Sequence, residues 1–352
     1  MRMEKIFFFL TAICLAVACS GDALSPEVPG GGDTVFVDFS LQSSLPLTKG
    51  GEGGGEARLN NVSLLVFNSD GTRVGYEKFN SMSDWNLYLP GKKNIRIYAV
   101  VNSSYDFEKV TSLSAFKKVS SQFSSNNLQN FEMVGCVDTV LNSDCSLVIP
   151  VRRLAAKLHI ESIRINNAVN SASSSPGEKV EWHTLTAVYI MNAASTYPYS
   201  LERATSSRFI SKDENNPLLY HVMESGYSYT NDGGQMYDTY DEPVDFYFYP
   251  NTSRTNLTSL VLYLEGTSLV ESGGGFYVMP CSHYYYIRLP ELLPNTMYDI
   301  RHLTVDNVEF DSSPSSSGRS LDLKVEYSMD IMDISDGRVL GTVRKKEVAY
   351  AM

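Results

Sequence analysis

Apolar and polar residues alternate with period two along most of this 352-residue chain, and helical spacing is nearly absent. Val35, Val37, Phe39 and Leu41 alternate with Phe36, Asp38 and Ser40; Ile95, Ile97 and Ala99 with Arg96 and Tyr98; Val244, Phe246 and Phe248 with Asp245, Tyr247 and Tyr249. Successive side chains of a strand point to opposite faces, so each run predicts a half-buried β-strand. Ser69-Asp70-Gly71, Pro90-Gly91, Asn231-Asp232-Gly233-Gly234 and Ser272 to Gly275 punctuate the runs with turn-forming residues. The pattern predicts strands near 34–42, 59–68, 73–79, 85–90, 94–102, 131–141 and 146–152 in the first half. In the second half it predicts strands near 154–165, 184–192, 217–223, 244–249, 258–265, 276–288, 298–305 and 320–331. Thr111 to Ser120 is the one stretch of the first half that reads as helix, and a short one. Many strands, polar turns and few helices predict an all-β fold of antiparallel sandwiches. The absence of a fixed short repeat excludes solenoids and propellers.

Leu321 to Ile331 keeps strict alternation for eleven residues: Leu321, Leu323, Val325, Tyr327, Met329 and Ile331 lie on one face, Asp322, Lys324, Glu326, Ser328 and Asp330 on the other. Such a strand reaches roughly 35 Å, longer than usual. Its plainer reading is a long edge strand, hairpinned through Ser335-Asp336-Gly337 onto Arg338 to Val343.

The chain begins differently. Arg2 and Lys5 precede an apolar core from Ile6 to Val17, which is short for a spanning helix and of signal-peptide length. Leu15-Ala16-Val17-Ala18-Cys19-Ser20 then resembles the bacterial lipobox, in which the cysteine takes lipid; the family's usual leucine three places before the cysteine is Ala16 here. Residues 1–18 therefore read as a signal peptide and Cys19 as the lipid attachment site on an exported precursor, with an ordinary cut near Ala18 as the alternative. No later stretch is apolar for the ~18 residues a spanning helix needs, so lipid is the membrane attachment expected. Residues 19–33, rich in Gly, Pro, Ser and acidic side chains, read as a flexible tether. About 330 residues follow the leader, more than one typical domain holds. The division expected is an N-terminal β-sandwich over 34–152 and a C-terminal one over 153–352, with a boundary near Pro150 or ten or more residues later. Leu45 to Arg58 is a Gly- and Glu-rich loop directly after the first strand; its Lys49 and Arg58 are candidate protease cleavage points.

Composition narrows the chemistry. A net charge of −11 argues against nucleic acid and against adsorption to anionic lipid heads, while 43% hydrophobic content suffices for a large core. Cys136 and Cys145 flank a turn at Asn142-Ser143-Asp144, so a hairpin disulfide is one reading and packed, reduced thiols the other. The histidines at 159, 183, 221, 283 and 302 are scattered within strand patterns, and no nucleophile elbow, phosphate loop or zinc-type motif occurs. No catalytic residue, metal site or cofactor is expected. Asp232, Asp238, Asp241 and Glu242 read as a solvated acidic loop rather than a calcium site. The runs Phe246-Tyr247-Phe248-Tyr249 and Tyr284-Tyr285-Tyr286 raise a glycan platform, but alternation puts half of each inward and favours packing.

Four stretches carry a resemblance to the Bacteroidales fimbrillins, or type V pilins, which are lipoprotein precursors. Leu64 to Gly71 (LLVFNSDG) followed by Arg96 to Asn102 (RIYAVVN) is similar to paired strands of their N-terminal domain. Pro150 to Ile160 (PVRRLAAKLHI) looks like the strand where their two domains meet. Tyr249 to Glu265 (YPNTSRTNLTSLVLYLE) resembles the Tyr-Pro-Asn strand end of their C-terminal domain and the strand after it, and Tyr284 to Thr304 resembles their pattern of a tyrosine-rich strand, Pro-Asn and Tyr-Asp-Ile. The resemblance covers most of 34–305 and implies two tandem transthyretin-like (Greek-key) β-sandwiches and a structural, non-catalytic fimbrial subunit that supports adhesion at the outer membrane and cell surface. It further implies that a trypsin-like protease cuts at Lys49 or Arg58 and removes the first strand (Val35, Val37, Phe39, Leu41). A C-terminal strand of a neighbouring subunit then fills the groove, with Leu321, Leu323, Val325, Tyr327, Met329 and Ile331 as the candidate donor. The partners implied are other fimbrial subunits, the processing protease and, through lipid on the precursor, the outer membrane. The rivals are a lipid-retaining anchor or tip subunit and a glycan-binding surface lipoprotein; with only Trp85 and Trp182 present, the last is weakly supported.

Overall fold

The computed structural model describes residues 34–43, 58–80, 85–166, 180–202, 208–223, 228–232, 235–253, 255–272, 274–307, 322–333 and 338–351. The first strands are β1 (Thr34–Ser43), β2 (Val62–Asn68), β3 (Arg73–Phe79), β4 (Asn86–Pro90) and β5 (Asn94–Val101). A connecting segment follows with helix α1 (Leu113–Phe116) and strand β6 (Ser120–Gln122), and then come β7 (Met133–Val140) and β8 (Cys145–Arg153). The helix expected over 111–120 shrinks to four residues, started by Ser112, whose side chain accepts the Ala115 N–H.

Seven of these strands form a sheet in the order β3-β2-β5-β7-β8-β1-β4. Its β7–β8 ladder is confined to Met133↔Arg153, Val134↔Arg152 and Gly135↔Val151, and there the sheet folds over. The two edges meet on the far side: a Cβ at Gly75 of β3 would stand 2.8 Å from Leu89 Cδ2 of β4, so glycine permits the close approach. The folded sheet encloses a core of Val35, Val37, Phe39, Leu64, Val66, Leu89, Ile97, Ile149 and others. Strand β2 is buried throughout Val62 to Phe67, with Ser63 the one polar side chain of that stretch. Its other face, with Tyr98 and Val100 of β5, is covered by Phe107, Phe116, Phe123 and Phe131 of the connecting segment. Two-sided burial explains why Leu64 to Phe67 (LLVF) is a continuous apolar run.

The rest of the chain continues with β9 (Ala156–Asn166), β10 (Val180–Met191), β11 (Ala193–Ala194), β12 (Thr196–Pro198), β13 (Phe209–Ile210), β14 (Tyr220–Val222), β15 (Ser228–Asp232), β16 (Gln235–Tyr240) and β17 (Val244–Phe248). It ends with β18 (Ser259–Ser272), β19 (Gly275–Arg288), β20 (Thr296–Asn307), β21 (Asp322–Asp333) and β22 (Val339–Ala351). The second sheet runs β14-β10-β18-β19-β22-β21-β20-β9-β16-β15, with β17 also on β9. Among the described residues its seam is narrow: β19 and β22 share Tyr285↔Ala351 and Tyr286↔Tyr350. The strands on either side of that seam face each other across Leu185, Val188, Leu262, Ile287, Leu158, Ile160, Ile300, Leu303 and Met329. The fold is thus all-β and sandwich-like, as the alternation predicts. The seven-stranded sheet takes its strands up to Arg153 and the second from Ala156 onward.

One core runs from the outer face of β2 and β5 through the connecting segment into the second sandwich. Phe131 meets Tyr247 at 4.8 Å between centroids and Phe123 meets Tyr249 at 5.3 Å. Glu132, 1% exposed, accepts a hydrogen bond from Tyr199 Oη at 2.7 Å, and Tyr199 Oη contacts Ser103 Oγ at 2.7 Å. Asn126 Nδ2 donates to Tyr249 Oη at 2.7 Å, and Ser121 Oγ bonds the same hydroxyl. Burial pushes the Glu132 carboxyl above its usual range, against the hydrogen bonds from Ser121 and Tyr199 that lower it.

Candidate functional site

Among the described residues, the partners of strand β1 are both distant from it in sequence. On one side it runs antiparallel to β4, from Thr34↔Pro90 to Asp38↔Asn86; on the other it runs parallel to β8, from Val37↔Cys145 to Ser43↔Val151. Val35, Val37 and Phe39 are 4%, 0% and 4% exposed, and Leu41 packs partly buried against the same core. The outward Phe36 ring lies edge-on to Tyr88, 5.4 Å between centroids. Just before β8 begins, the Asp144 carboxylate accepts the Phe36 N–H at 2.8 Å, extending the backbone ladder by one bond. A cleft of about 490 Å³ opens at this end, lined by Thr34, Val35, Gly91, Lys92, Asn142, Ser143 and Asp144. A strand removed from this place would leave two unpaired backbone edges and an uncovered apolar row, which another alternating strand could satisfy.

Lys49 lies outside the described residues. Arg58 is exposed just ahead of β2, and its carbonyl accepts Asn102 Nδ2 at 2.7 Å. Asn102 also donates to the Phe131 carbonyl at 2.9 Å and accepts the Asn60 N–H at 2.7 Å. This buried asparagine, at φ 62°, anchors the chain where the loop enters β2. Its left-handed backbone suits asparagine better than most residues. Sequence reading did not single it out, although it ends the run RIYAVVN.

The candidate donor is not an edge strand. β21 lies between β20 and β22, paired with both along most of its length. Tyr327 and Met329 are buried at 3% and 0%, and Ile331 packs against the same core. Leu321 lies outside the described residues, as does the side-chain environment of Leu323 and Val325. The hairpin partner expected over 338–343 continues to Ala351.

Cys19 is outside the described residues. Cys136 and Cys145 are both free thiols, the first half-buried on β7 and the second exposed at the start of β8. Continuing the Gly135↔Val151 register sets position 136 opposite 150, five residues from Cys145, which is about 16 Å along a strand and too far for a disulfide. The hairpin-disulfide reading is therefore replaced by that of two separate thiols.

The other candidate groups also resolve. Asp232 and Asp238 lie on the paired strands β15 and β16, and Asp238 is 4% exposed, so the four acids do not share a loop. Among the described residues no group of three His, Cys, Asp or Glu is placed to hold a metal. His159 Nδ1 pairs with Asp245 at 2.6 Å, and the buried Lys157 Nζ reaches the same carboxylate at 2.9 Å. The Asp245 hydrogen bond raises the His159 pKa. His302 bonds Ser162 at 2.8 Å. Phe246, Tyr247, Phe248 and Tyr249 are all buried, because β17 has core on both faces. Tyr284 stacks on Tyr263 at 4.7 Å, and Lys212 sits 5.3–5.6 Å over the rings of Tyr189, Tyr220 and Tyr263. Packing therefore accounts for the first aromatic run and for much of the second.

No protein-family model and no curated protein matches this chain. Among solved structures, a candidate cell adhesion protein from Bacteroides eggerthii superposes with a TM-score of 0.56 at 14% identity, covering 92% of this chain and 98% of that one. One from Parabacteroides distasonis gives 0.51 at 13% identity, over 86% of this chain and 100% of that one. A fimbrilin from Porphyromonas gingivalis W83 gives 0.47 at 14% identity, over 83% of this chain and 96% of that one. At such identities the likeness is one of architecture, and the chain shares its all-β fold with the candidate cell adhesion proteins of Bacteroides eggerthii and Parabacteroides distasonis.

Proposed function

We propose that this chain is a structural, non-catalytic subunit of a cell-surface fimbria that supports adhesion, built as tandem domains over 34–152 and 153–352. In this reading it is exported as a lipoprotein through Cys19 and polymerises by protease-triggered donor-strand exchange at the outer membrane. The observation that carries the reading is the position of β1. It fills a groove between β4 and β8, buries three apolar side chains there, and is joined along the chain to β2 through residues 44–61. A cut at Lys49 or Arg58 would leave it held by non-covalent contacts alone.

The donor we assign is β21. To lie between β4 and β8 it must free both of its edges, so its release breaks the ladders to β20 and to β22. β22 alone would leave with fewer broken bonds, but Lys345, Lys346 and Glu347 interrupt its apolar alternation. An apolar groove selects the strand with the right pattern. The test is to treat purified protein with a trypsin-like protease and look for SDS-resistant ladders. A subunit that stays monomeric after a clean cut is not a shaft subunit; lipid retained on Cys19 in surface material would instead identify an anchor.

A further inference from the structure

Strand β1 reads Val35-Phe36-Val37-Asp38-Phe39-Ser40-Leu41, and β21 contains Leu323-Lys324-Val325-Glu326-Tyr327-Ser328-Met329. Valine and serine recur at the third and sixth positions, and Val/Leu, Asp/Glu, Phe/Tyr and Leu/Met are close substitutes at four more. We infer that β21 of a second copy replaces β1 in the same direction and in this register, parallel to β8 and antiparallel to β4. Leu323, Val325, Tyr327 and Met329 then take the places of Val35, Val37, Phe39 and Leu41. The inference rests on the donor-strand reading above and adds to it a polarity, a register and the residues that set both.

Three features of the groove support the assignment. Phe39 fills the one aromatic place among the inward positions of β1. Tyr327 is the one aromatic residue on the matching face of the β21 segment. Where described, the corresponding positions of β21 already face a core in their own sandwich, Tyr327 and Met329 being 3% and 0% exposed. The Val35 place borders the cleft of about 490 Å³, which gives room for the larger leucine. The remaining position, Phe36 against Lys324, is the one unlike pair, and it falls beside Asp144, which accepts the backbone N–H there, and beside the ring of Tyr88. A lysine in that place meets a carboxylate and an aromatic face, both favourable to a cation. Keeping Tyr327 in the Phe39 place but reversing the strand would instead bring Asp330 against Asp144. Like charges set directly opposite each other disfavour that direction.

The experiment uses the full-length chain with every native cysteine from Cys19 onward changed to serine, cut with a trypsin-like protease and oxidised during assembly. Asp38 of β1 pairs with Asn86 of β4. In the assigned register Glu326 therefore sits opposite Asn86 of the neighbour, and in the reversed strand Ser328 does. The chain carrying Asn86→Cys with Glu326→Cys is expected to give boiling-resistant, reductant-sensitive ladders. Asn86→Cys with Ser328→Cys should give at least about ten-fold less, because disulfide geometry tolerates only directly facing pairs. The opposite preference overturns the polarity. If unboiled ladders form but neither pair cross-links, β21 is not the donor in this register, while the fimbrial reading stands. If the cysteine-free parent forms no ladder at all, the fimbrial reading falls and takes this one with it.

Discussion

Substituting Phe39 tests how β1 is held. Val35, Val37 and Phe39 are all nearly inaccessible, at 4%, 0% and 4% exposure. At roughly 1.5–3 kcal/mol for each buried side chain, they stabilise the strand by about 5–9 kcal/mol, comparable with the stability of a whole domain at ~5–15 kcal/mol. After a cut at Lys49 or Arg58, β1 should thus stay in the groove of the monomer as a bound peptide until a donor strand displaces it. Phe39→Ala removes the largest of the three contacts and leaves a cavity, which costs about 3–5 kcal/mol. The fragment's affinity should fall by roughly two to three and a half orders of magnitude. The assay is limited proteolysis followed by gel filtration and intact-mass measurement at micromolar concentration. In the monomer peak, wild type should elute with its N-terminal fragment, Phe39→Ala without it, and Phe36→Ala, an outward change, with it. Retention by Phe39→Ala equal to wild type, or equal loss from Phe36→Ala, would refute the argument that inward burial holds the strand.

Other substitutions probe the supports of the groove and the junction. Asn102→Ala removes three hydrogen bonds, to Arg58, Asn60 and Phe131; urea unfolding should show a loss of about 2–4 kcal/mol, with faster cleavage after Arg58 by N-terminal sequencing. Asn102→Gly, which keeps the left-handed backbone without strain, should lose about 1 kcal/mol less than alanine. For Glu132 the folded-state pKa is raised, so its contribution is fully present below the usual 4.5 and is lost as pH rises through the folded value. Thermal unfolding of Glu132→Gln from pH 4 to 8 should lack that decline. Asp245→Asn removes the carboxylate facing buried Lys157 and His159 and should cost about 1–3 kcal/mol, discounted for its partial exposure. His159 should then titrate nearer its ordinary value in an NMR pH series.

How much the sequence discloses differs from element to element. Alternation finds β1 and its inward face because one side of that strand meets core and the other solvent. The same rule misjudges Phe246 to Tyr249, where a half-outward run is expected and none is found. Its second face is covered by Phe123, Phe131 and Tyr197, which approach only after the chain folds back. The expected helix over 111–120 fails for a related reason: the segment spends its Phe116 and Val119 as a lid over β2 and β5, and only one helical turn fits. Hairpin β15–β16 is missed because Asn231 to Gly234 reads as a turn between unrelated strands rather than within one pair. Asp144 and Asn102 leave no periodic signal at all. Each acts through a side chain bonded to backbone distant in sequence, at separations of 108 and 44 residues.

That distance also bears on the proposed exchange of β1. A strand hairpinned to its sequence neighbour is tied to it by a short loop, and removing it breaks a local ladder. β1 pairs instead with β4 and β8, on both sides of an otherwise self-consistent arrangement. The pairs β2–β3, β2–β5, β5–β7 and β7–β8 do not involve it. Contacts so far apart in sequence carry the largest loop-closure cost, so they are expected to form late. The strands β3-β2-β5-β7-β8 can therefore order without it, and the place is bounded by β8, by Asp144 and by β4, whose one ladder among the described residues is to β1. A segment with the same alternation and a suitable group for Asp144 would meet the same requirements, which is the ground on which β21 is proposed.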